Sequence, residues 1–335
     1  MSRVSCLLAA TLVLTAAVHA GENSLLSGFT VRLHGGLDHL ANLDDLNGQI
    51  RLMNTYFGID GTWVEDAQGQ SQDNGWAPYL RMPEFANRPD MGLTIERDLL
   101  KWERSRLVAG LEFTAGAASS SNLFEFSPGT GFKASVFAKE DVDARNVMAT
   151  CRYSIKDSNL PVHAHVGLGL GMATIKSAGR YIQFQTIFSD MDPDAGEYRP
   201  QHWIQADYDG STISGRLFVG GEVELGPMNL MLDLGYDYMN FGELEGATTQ
   251  TFRGTDGTNH GIAVSGAPDT RYTFVPLISA SLQRMVQNAF LAAAGLPPIT
   301  TPVDLTDPEL QWGAPQPIKY DLSGGYVRLS VGYHF

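Results

Sequence analysis

The sequence predicts an all-β protein, a transmembrane antiparallel β-barrel of eight strands with long extracellular loops and short periplasmic turns. Three observations lead to this fold class: an apolar leader at the start of the chain, eight later segments in which apolar and polar side chains alternate, and connections between them that are short and long in turn. Alternation of this kind is expected of strands with one face in lipid and the other toward a polar interior.

Residues 1–20 are typical of a cleaved secretory signal. Arg3 precedes an apolar run, and Val18 and Ala20 supply the compact side chains that signal peptidase accepts just before its cleavage site. The run is too short for a transmembrane helix, which needs roughly 20 apolar residues. We therefore expect residues 21–335 to be exported and to form an outer-membrane β-barrel domain.

Composition narrows the possible functions. The chain has 37 acidic and 23 basic side chains and a formal net charge of -14, which argues against nucleic acid as a partner because phosphate binding needs clustered Lys and Arg. Of its 2 cysteines only Cys151 lies beyond the leader, so neither an internal disulfide nor a zinc–thiolate site is expected. No cofactor is expected either, because the sequence has no phosphate-loop or dinucleotide-binding motif.

The first four predicted strands place apolar side chains at every second position. They are GFTVRLHGG (28–36), MGLTIERD (91–98), RLVAGLEFTA (106–115) and NVMATCRYSI (146–155). In the first of them, Phe29, Val31 and Leu33 fall on one face, and Thr30 and Arg32 fall on the other. Each segment therefore predicts a strand with one apolar face.

The later four predicted strands alternate more regularly. They are PVHAHVGLGLGMA (161–173), RLFVGGEVEL (216–225), MNLMLDLGYDYMN (228–240) and YVRLSVGYHF (326–335). In the third of these, Leu230, Leu232 and Leu234 oppose Asn229 and Asp233. One such segment is weak support because soluble sandwiches alternate too, whereas eight of them behind a leader favour a barrel.

The connections favour a barrel over a sandwich. LLKWERS joins strands two and three, KDSNLP joins four and five, and Gly226-Pro227 joins six and seven. The alternate connections run from about 30 to more than 75 residues, and outer-membrane barrels show this segregation of short periplasmic turns from long extracellular loops.

A family resemblance follows from three stretches: HVGLGLGMA, FVGGEVELGPMNLMLDLGYDYMNFG and YVRLSVGYHF. They resemble the small porin-like outer-membrane β-barrel proteins of the opacity and outer-membrane-protein-A-like superfamily. The resemblance implies the architecture, and it implies that the barrel-assembly machinery reads the last strand. The assembly signal would consist of Val327, Leu329, Val331, Tyr333 and Phe335.

The same phase assigns ten charged side chains to the barrel interior. They are Arg32, Glu96, Glu112, Arg152, Arg216, Glu222, Glu224, Asp233, Asp237 and Arg328. An eight-stranded barrel is just wide enough for its side chains to fill, so we interpret the set as a hydrogen-bonded ionic plug. An ion pathway is the alternative interpretation.

Other candidate sites are weaker. His163 and His165 share one face of a strand but have no third metal ligand in view, and the acidic stretch DMDPDAGE (190–197) is interrupted by Pro193 where a calcium loop needs continuity. We predict no metal site. We also predict no enzyme, because no G-x-S-x-G element or paired nucleophile and base is recognisable.

Several loop segments keep the strand number open. IRLMNTYFGI (50–59), YIQFQTIF (181–188), HWIQADYD (202–209) and TRYTFVPLISA (270–280) have strand character. If they joined the wall, a barrel of ten to fourteen strands would enclose a narrow channel for small solutes or cations. Otherwise 181–188 and 202–209 would pair as a hairpin above the membrane. An amphipathic helix is expected at 281–294. It would cap the barrel mouth, and the alternatives are that it folds into the lumen or contacts a partner.

These observations predict a porin-like protein of a Gram-negative cell envelope, located in the outer membrane, with a structural and surface-interaction role. Its interior is closed, and its loops are displayed outside the cell. The expected partners are outer-membrane lipid and lipopolysaccharide, the barrel-assembly machinery, and an extracellular ligand of unknown identity.

Overall fold

A computed structural model describes residues 28–39, 43–56, 82–126, 132–156, 162–187, 201–253, 259–268, 297 and 317–335. In chain order its elements are β1 (Phe29–His39), α1 (Asp44–Tyr56), β2 (Asn87–Lys101), β3 (Ser105–Phe126), β4 (Phe132–Lys156), β5 (Val162–Ile187), β6 (Gln201–Leu225), β7 (Met228–Tyr238), β8 (Asn240–Glu243), β9 (Glu245–Arg253), β10 (Asn259–Pro268), β11 (Lys319–Asp321) and β12 (Gly324–His334). No helix in these ranges is long and apolar enough to cross a bilayer. The expected leader and the segments 190–197, 270–280 and 281–294 fall outside the described residues.

Eight of the described strands close into an antiparallel ring. Its order is β1, β2, β3, β4, β5, β6, β7 and β12, and β12 pairs again with β1. Each of these strands overlaps one of the eight segments predicted from alternation, so the predicted eight-stranded barrel is confirmed.

The predicted phase of the alternation is also the observed one. On β5, Leu168 and Leu170 point outward and are 55% and 64% exposed, whereas His163 and His165 point inward and are each 6% exposed. Inward glycines leave room for large neighbours, since a Cβ on Gly167 would collide with the Phe218 ring. The ring thus has an apolar outer surface and a polar interior.

One end of the ring carries short turns. Trp102 N donates to Ser105 O at 2.8 Å between β2 and β3, and Gly226 adopts a φ of 69° in the turn between β6 and β7, a conformation that glycine enters without strain. β1 and β12 meet at this same end, where Gly28 N donates to Phe335 O at 2.9 Å. We call it the short-turn end.

At the opposite end, half of the ring continues upward. β2 accompanies β3 only as far as Gly116, and β7 accompanies β6 only as far as Gly215. Beyond those points β3, β4, β5 and β6 remain paired. β6 gains β9 as a new neighbour, and β9 in turn pairs with β10. We call the residues 114–126, 132–146, 173–187 and 201–212, together with α1, residues 82–86 and β8–β11, the headpiece.

The segments 181–188 and 202–209 belong to this extension. Tyr181 pairs with Ile204, and Phe184 pairs with Gln201, so the predicted hairpin pairing above the barrel is confirmed for the described part. The segments lengthen β5 and β6 and add no strand to the ring. The ring therefore stays at eight strands, and the expansion that the channel interpretation required is not observed.

The prediction for segment 50–59 was wrong for residues 50–56, and residues 57–59 lie outside the described ranges. We expected an extra strand, but α1 runs from Asp44 to Tyr56. Leu46 and Ile50 recur at helical spacing and are fully buried, and Asp44 and Asp45 stabilise the first turn through the helix dipole. Residues 50–56 alternate locally by chance, and the 3.6-residue period that begins at Leu43 decides the structure.

The headpiece has a core of its own. Its buried apolar side chains come from the tall strands, α1 and the segments beside them: Leu43, Leu46, Ile50, Met82, Phe85, Val136, Ala138, Val142, Ala144, Ala173, Ile175, Tyr181, Ile204, Ala206, Tyr208, Met239, Leu244, Ile318, Tyr320 and Leu322. Burial on this scale stabilises the headpiece at roughly 25 cal/mol per Å² of apolar surface. The headpiece is therefore a packed structure of its own above the ring.

Two asparagines fasten α1 to residues 82–86. Asn47 Nδ2 donates to Phe85 O at 3.0 Å, and Phe85 N donates to Asn47 Oδ1 at 2.8 Å. Asn54 makes the same pair of bonds with Met82, at 3.0 and 2.9 Å. Because the two asparagines are two helical turns apart, they hold the segment 82–86 alongside the helix.

Candidate functional site

Inward-facing charges of the ring converge on its axis. Nine of the ten charged side chains predicted to face the interior have at most 7% of their surface exposed: Arg32, Glu96, Glu112, Arg152, Arg216, Glu222, Asp233, Asp237 and Arg328. Glu224 differs, because it lies at the short-turn rim and 35% of its side chain is exposed. The period of two brings residues from strands distant in sequence to one place.

Arg32 organises the half of the interior nearer the short-turn end. Its Nε donates to Glu96 Oε2 at 2.6 Å, its Nη1 to Asn229 Oδ1 at 2.7 Å, and its Nη2 to Glu222 Oε1 at 2.8 Å. These partners lie on β2, β7 and β6, so one guanidinium on β1 ties together several walls of the ring. We call Arg32, Glu96, Arg106, Arg152, Glu222 and Asn229 the lower cluster.

Glu222 is the most heavily paired carboxylate of the lower cluster. Arg152 Nη1 donates to its Oε2 at 2.6 Å, and Arg106 Nη2 donates to the same oxygen at 2.8 Å. Arg152 also reaches Glu96 at 2.8 Å through Nη2. Charge-assisted bonds of this length are among the strongest hydrogen bonds in proteins. Because guanidinium and carboxylate groups alternate, their attraction compensates the loss of water around each charge.

A second group, the upper cluster, lies nearer the headpiece and contains Asp38, Arg88, Asp90, Glu112, Arg216, Asp237 and Arg328. Arg216 donates two parallel hydrogen bonds to Asp237, from Nε at 2.5 Å and from Nη2 at 2.6 Å. Its Nη1 donates to Glu112. Arg328 donates to Glu112 at 3.0 Å and to Asp90 at 2.5 Å. Glu112 is thus held between two guanidinium groups.

Tyr326 fills the space between these arginines. The Arg216 Cζ lies 4.8 Å from its ring centroid, and the Arg328 Cζ lies 4.6 Å from it. The aromatic ring of Tyr326 therefore separates two like charges and attracts both guanidinium groups through its faces. A side chain of this size also blocks the axis of a barrel that is already narrow.

Sequence reasoning missed Asp38, Arg88, Asp90 and Arg106. Arg88 donates to Asp38 at the top of the interior, and both side chains are buried. The predicted first strand ended too early to include Asp38, and the second began after Asp90. Continuing the alternation outward from Arg32 and Glu96 by steps of two reaches Asp38, Asp90 and Arg88, so the signal was present in the sequence.

The histidines take part in the same pairing. His165 Nε2 lies 2.6 Å from Asp233 Oδ1, and His163 Nε2 lies 3.2 Å from Glu224 Oε1. The His34 Nδ1 lies 3.3 Å from the Thr94 hydroxyl. Among the described residues no three His, Cys, Asp or Glu side chains meet as a metal site would require.

Side chains leave little free volume on the axis. One cavity of about 10 Å³ is lined by residues that include Asp38, Arg88 and Asp237, and another of about 20 Å³ is lined by residues that include His34 and Glu112. A cavity of this size holds about one water molecule. The charged side chains therefore leave room for little more than single water molecules around these two cavities.

The predicted assembly residues lie on β12 and at its end. Val327 and Leu329 point outward and are each 51% exposed. The rings of Tyr333 and Phe335 meet edge to face with centroids 5.0 Å apart. Aromatic side chains at this height suit the interface between lipid and water.

No protein-family model matches this chain, and no curated protein matches it either. Among solved structures the chain is similar to a major outer membrane protein from Thermus thermophilus, with 15% sequence identity and a TM-score of 0.32 over 92% of this chain and 99% of that chain. With so low a TM-score the likeness carries no weight about function. The assignment of a barrel depends on the hydrogen-bonded ring itself, and membership of the opacity and outer-membrane-protein-A-like group stays a prediction.

Proposed function

We propose that this protein is a closed outer-membrane β-barrel that anchors a folded headpiece at the cell surface. Its role is structural and interactive: the barrel holds the chain in lipid, and the headpiece presents a surface outside the cell. We propose no catalytic activity. The observation that carries the proposal is the ionic interior, in which each of the buried carboxylates described within the ring has a basic partner: Asp38, Asp90, Glu96, Glu112, Glu222, Asp233 and Asp237.

The outer surface of the ring supports a membrane location. Large apolar side chains cover it on all sides, among them Leu111, Val147, Leu217 and Leu232, each 43% exposed or more. On β5 the apolar positions extend from Val162 to Met172, which corresponds to a band about 25 Å tall when a rise of about 3.3 Å per residue is combined with a tilt of about 40°. That height matches the apolar band of an outer-membrane barrel.

The headpiece supports the structural role. Met239 and Tyr320 are buried above the ionic interior, and Asn146, at the top of the ring, hydrogen-bonds the Ser214 hydroxyl at 2.7 Å. The apolar core of the headpiece therefore covers the end of the barrel above the charged clusters, as a second closure. Export by a cleaved signal, a Gram-negative envelope and insertion by the barrel-assembly machinery complete the proposal.

Planar-bilayer recording tests it. Purified protein should insert and show no conductance steps of stable size, because buried charged side chains and Tyr326 occupy the lumen. A matched variant removes one charge of each sign, Arg152→Ser together with Glu222→Ser, and widens the lower cluster without changing its net charge. We expect this variant to show brief openings.

Stable steps from the unaltered protein would overturn the closed barrel and favour the narrow channel. Insertion itself has a separate readout. The folded protein should migrate differently from the boiled protein on gels, and a chain that stays monomeric in water without detergent would contradict the membrane location.

A further inference from the structure

The outer face of the headpiece is a direct continuation of the lipid-facing wall. The register aligns its side chains in rows that run across β3, β4, β5 and β6, perpendicular to the strands. The topmost apolar row of the ring is Phe113, Val147, Met172 and Ile213. The next row above it is Ala115, Arg145, Thr174 and Ser211. Lipid that covers the first row therefore places its headgroup against the second.

This polar wall is taller than a phospholipid headgroup. Four polar rows separate the row that contains Met172 from a second apolar row that contains Ile182. At about 3.3 Å per residue and a tilt of about 40°, those rows rise roughly 20 Å above the apolar band. A phospholipid headgroup layer is only about 5 to 8 Å thick. A lipid with a sugar-bearing headgroup matches the height of this wall better.

Four basic side chains stand on β4 and β5 within these rows, and we call them the basic strip: Arg145, Lys176, Lys139 and Arg180. Lys139 and Arg180 lie directly opposite each other in register, an arrangement that like charges disfavour. Basic residues often protect the exposed edge of a sheet from pairing with another chain. That role does not apply here, because β4 and β5 are paired on both sides. The arrangement is stabilised when an anion lies over the pair.

The basic strip is only partly neutralised by the protein. Lys139 Nζ lies 2.5 Å from Asp141, and Arg145 Nε lies 3.8 Å from Asp143. In the described part of the chain, Lys176 and Arg180 have no ion-pair partner within 4 Å, and both are exposed. Lys176 stands opposite Asp143 and Asp209 in register without bonding either, whereas Arg180 stands opposite Lys139 and Gln205. Arg180 is therefore the charge least offset by the protein, and Lys176 remains free to bond an outside partner.

The neighbours of the basic strip limit where an anion can bind. On one side β3 presents only small neutral side chains, Ala115, Ala117, Ser119 and Ser121, which leave a shallow trough beside the strip. On the other side β6 and β9 present three carboxylates, Asp207, Asp209 and Glu245. β4 itself carries Asp141 and Asp143 between its two basic residues, so in these rows the four basic charges exceed the carboxylates on β3–β5 by two. Repulsion from β6 and β9 and the space over β3 both favour an anionic headgroup on β3–β5.

We propose that the outer face of β3–β5 binds a phosphorylated glycolipid of the outer leaflet. Its acyl chains lie on the apolar rows below Met172, and its phosphate lies against Arg145 and Lys176. The sugars follow the trough on β3 toward Lys139 and Arg180. Lys and Arg bind phosphate through charge-assisted hydrogen bonds. This inference depends on the proposed membrane location, which supplies the lipid.

The test uses the full protein in neutral detergent micelles. The probe is an acylated, phosphorylated diglucosamine glycolipid, compared with the same glycolipid after phosphatase treatment, and native mass spectrometry counts the molecules retained. The strip variant is Lys139→Gln, Lys176→Gln and Arg180→Gln together. The matched control, Lys101→Gln, Arg104→Gln and Lys156→Gln, removes three exposed positive charges at the short-turn end.

The unaltered protein and the control should retain the phosphorylated probe equally. The strip variant should bind it roughly tenfold or more weakly, since each basic residue near an anionic lipid surface contributes on the order of 1 kcal/mol. Equal binding of both glycolipids, or an equal loss in strip variant and control, would overturn the inference. A barrel that inserts but shows no such preference contradicts the inference alone, whereas failure to insert contradicts the proposed function and the inference with it.

Discussion

Strands β3–β6 pass through two interiors of opposite character. Within the ring their inward side chains are charged, as with Glu112 and Arg152, and their outward side chains are apolar. In the headpiece the inward side chains are apolar, as with Val142 and Ile175, and the outward ones are charged, as with Lys176. The apolar face of this continuous sheet therefore switches from the outside to the inside, while the hydrogen bonding between the strands continues unchanged.

The change occurs where the surrounding medium changes. On β4, Val142 and Ala144 face inward above the boundary, whereas Val147 and Ala149 face outward below it. The apolar set shifts from even to odd positions within three residues. Apolar side chains face lipid where lipid surrounds the sheet, and they face the core where water does. The shift therefore marks the height at which the membrane ends.

The largest effect is expected from the ionic interior. Glu222→Gln leaves Arg32 and Arg152 buried beside a neutral amide, and we expect a loss of about 3 to 5 kcal/mol in the free energy of unfolding. The urea midpoint of the heat-modifiable gel band measures it. Glu224→Gln is the matched control at the exposed rim and should cost less than about 1 kcal/mol. Equal midpoints for both variants would show that the network is not a buried one.

The headpiece core should fail separately from the ring. Ile50→Ala removes a fully buried side chain of α1, and we expect a cost of about 2 to 5 kcal/mol that falls on the headpiece. Limited proteolysis should cut the headpiece faster while the barrel band on gels keeps its midpoint. The exposed neighbour gives the control: Arg51→Ala removes an exposed ion pair with Glu84, which should cost about 1 kcal/mol or less. Loss of the barrel band in parallel would contradict two separate cores.

The boundary between the two regions can be located with outward charges on one strand. Leu168→Arg places a charge in the middle of the apolar band, and we expect it to cost about 2 to 4 kcal/mol. Thr174→Arg places the same charge one row above the band, where surface substitutions change stability by about 0.5 kcal/mol or less. Unfolding in lipid vesicles measures both. A similar cost at Thr174 would move the boundary upward.

The smallest effect is expected from the contact between α1 and residues 82–86. Asn47→Ala removes two hydrogen bonds and leaves the buried backbone of Phe85 without partners, at a cost of about 1 to 3 kcal/mol. Hydrogen exchange at the Phe85 amide should accelerate. Asn54→Ala is the matched comparison and should accelerate exchange at Met82 instead. If both variants affected both amides alike, the segment would open as one unit.

The ring could be predicted almost completely from the sequence, because lipid imposes a period of two that survives in segments such as 161–173. The headpiece could not be predicted in the same way. The headpiece parts of β4 and β5 continue the ring parts of the same strands, but their apolar side chains lie on the opposite face. The alternation that identifies the ring strand therefore stops at the point where the apolar face switches. Glu140 also interrupts the inward apolar positions of β4, which hides them further.

The interior charges were also predictable only in part: their inward position follows from the sequence, and their pairing does not. The phase assigned Arg32, Glu96 and Glu222 to the interior, but pairing cannot be predicted from phase, because Arg32 meets Glu222 only after the ring closes across 190 positions. For α1, a short alternation at 50–56 competed with a helical period whose apolar residues start at Leu43. The helical period prevails because Leu46 and Ile50 find a core to pack against.

The unbroken course of β3–β6 through both regions has a mechanical consequence. β3, β4, β5 and β6 are 22, 25, 26 and 25 residues long, and no linker or hinge lies along them between ring and headpiece. A pull on the headpiece along the strands loads many hydrogen bonds in shear at once, so force reaches the anchor through a rigid stem. The headpiece is therefore held at a fixed orientation to the ring, which a flexible linker would not impose.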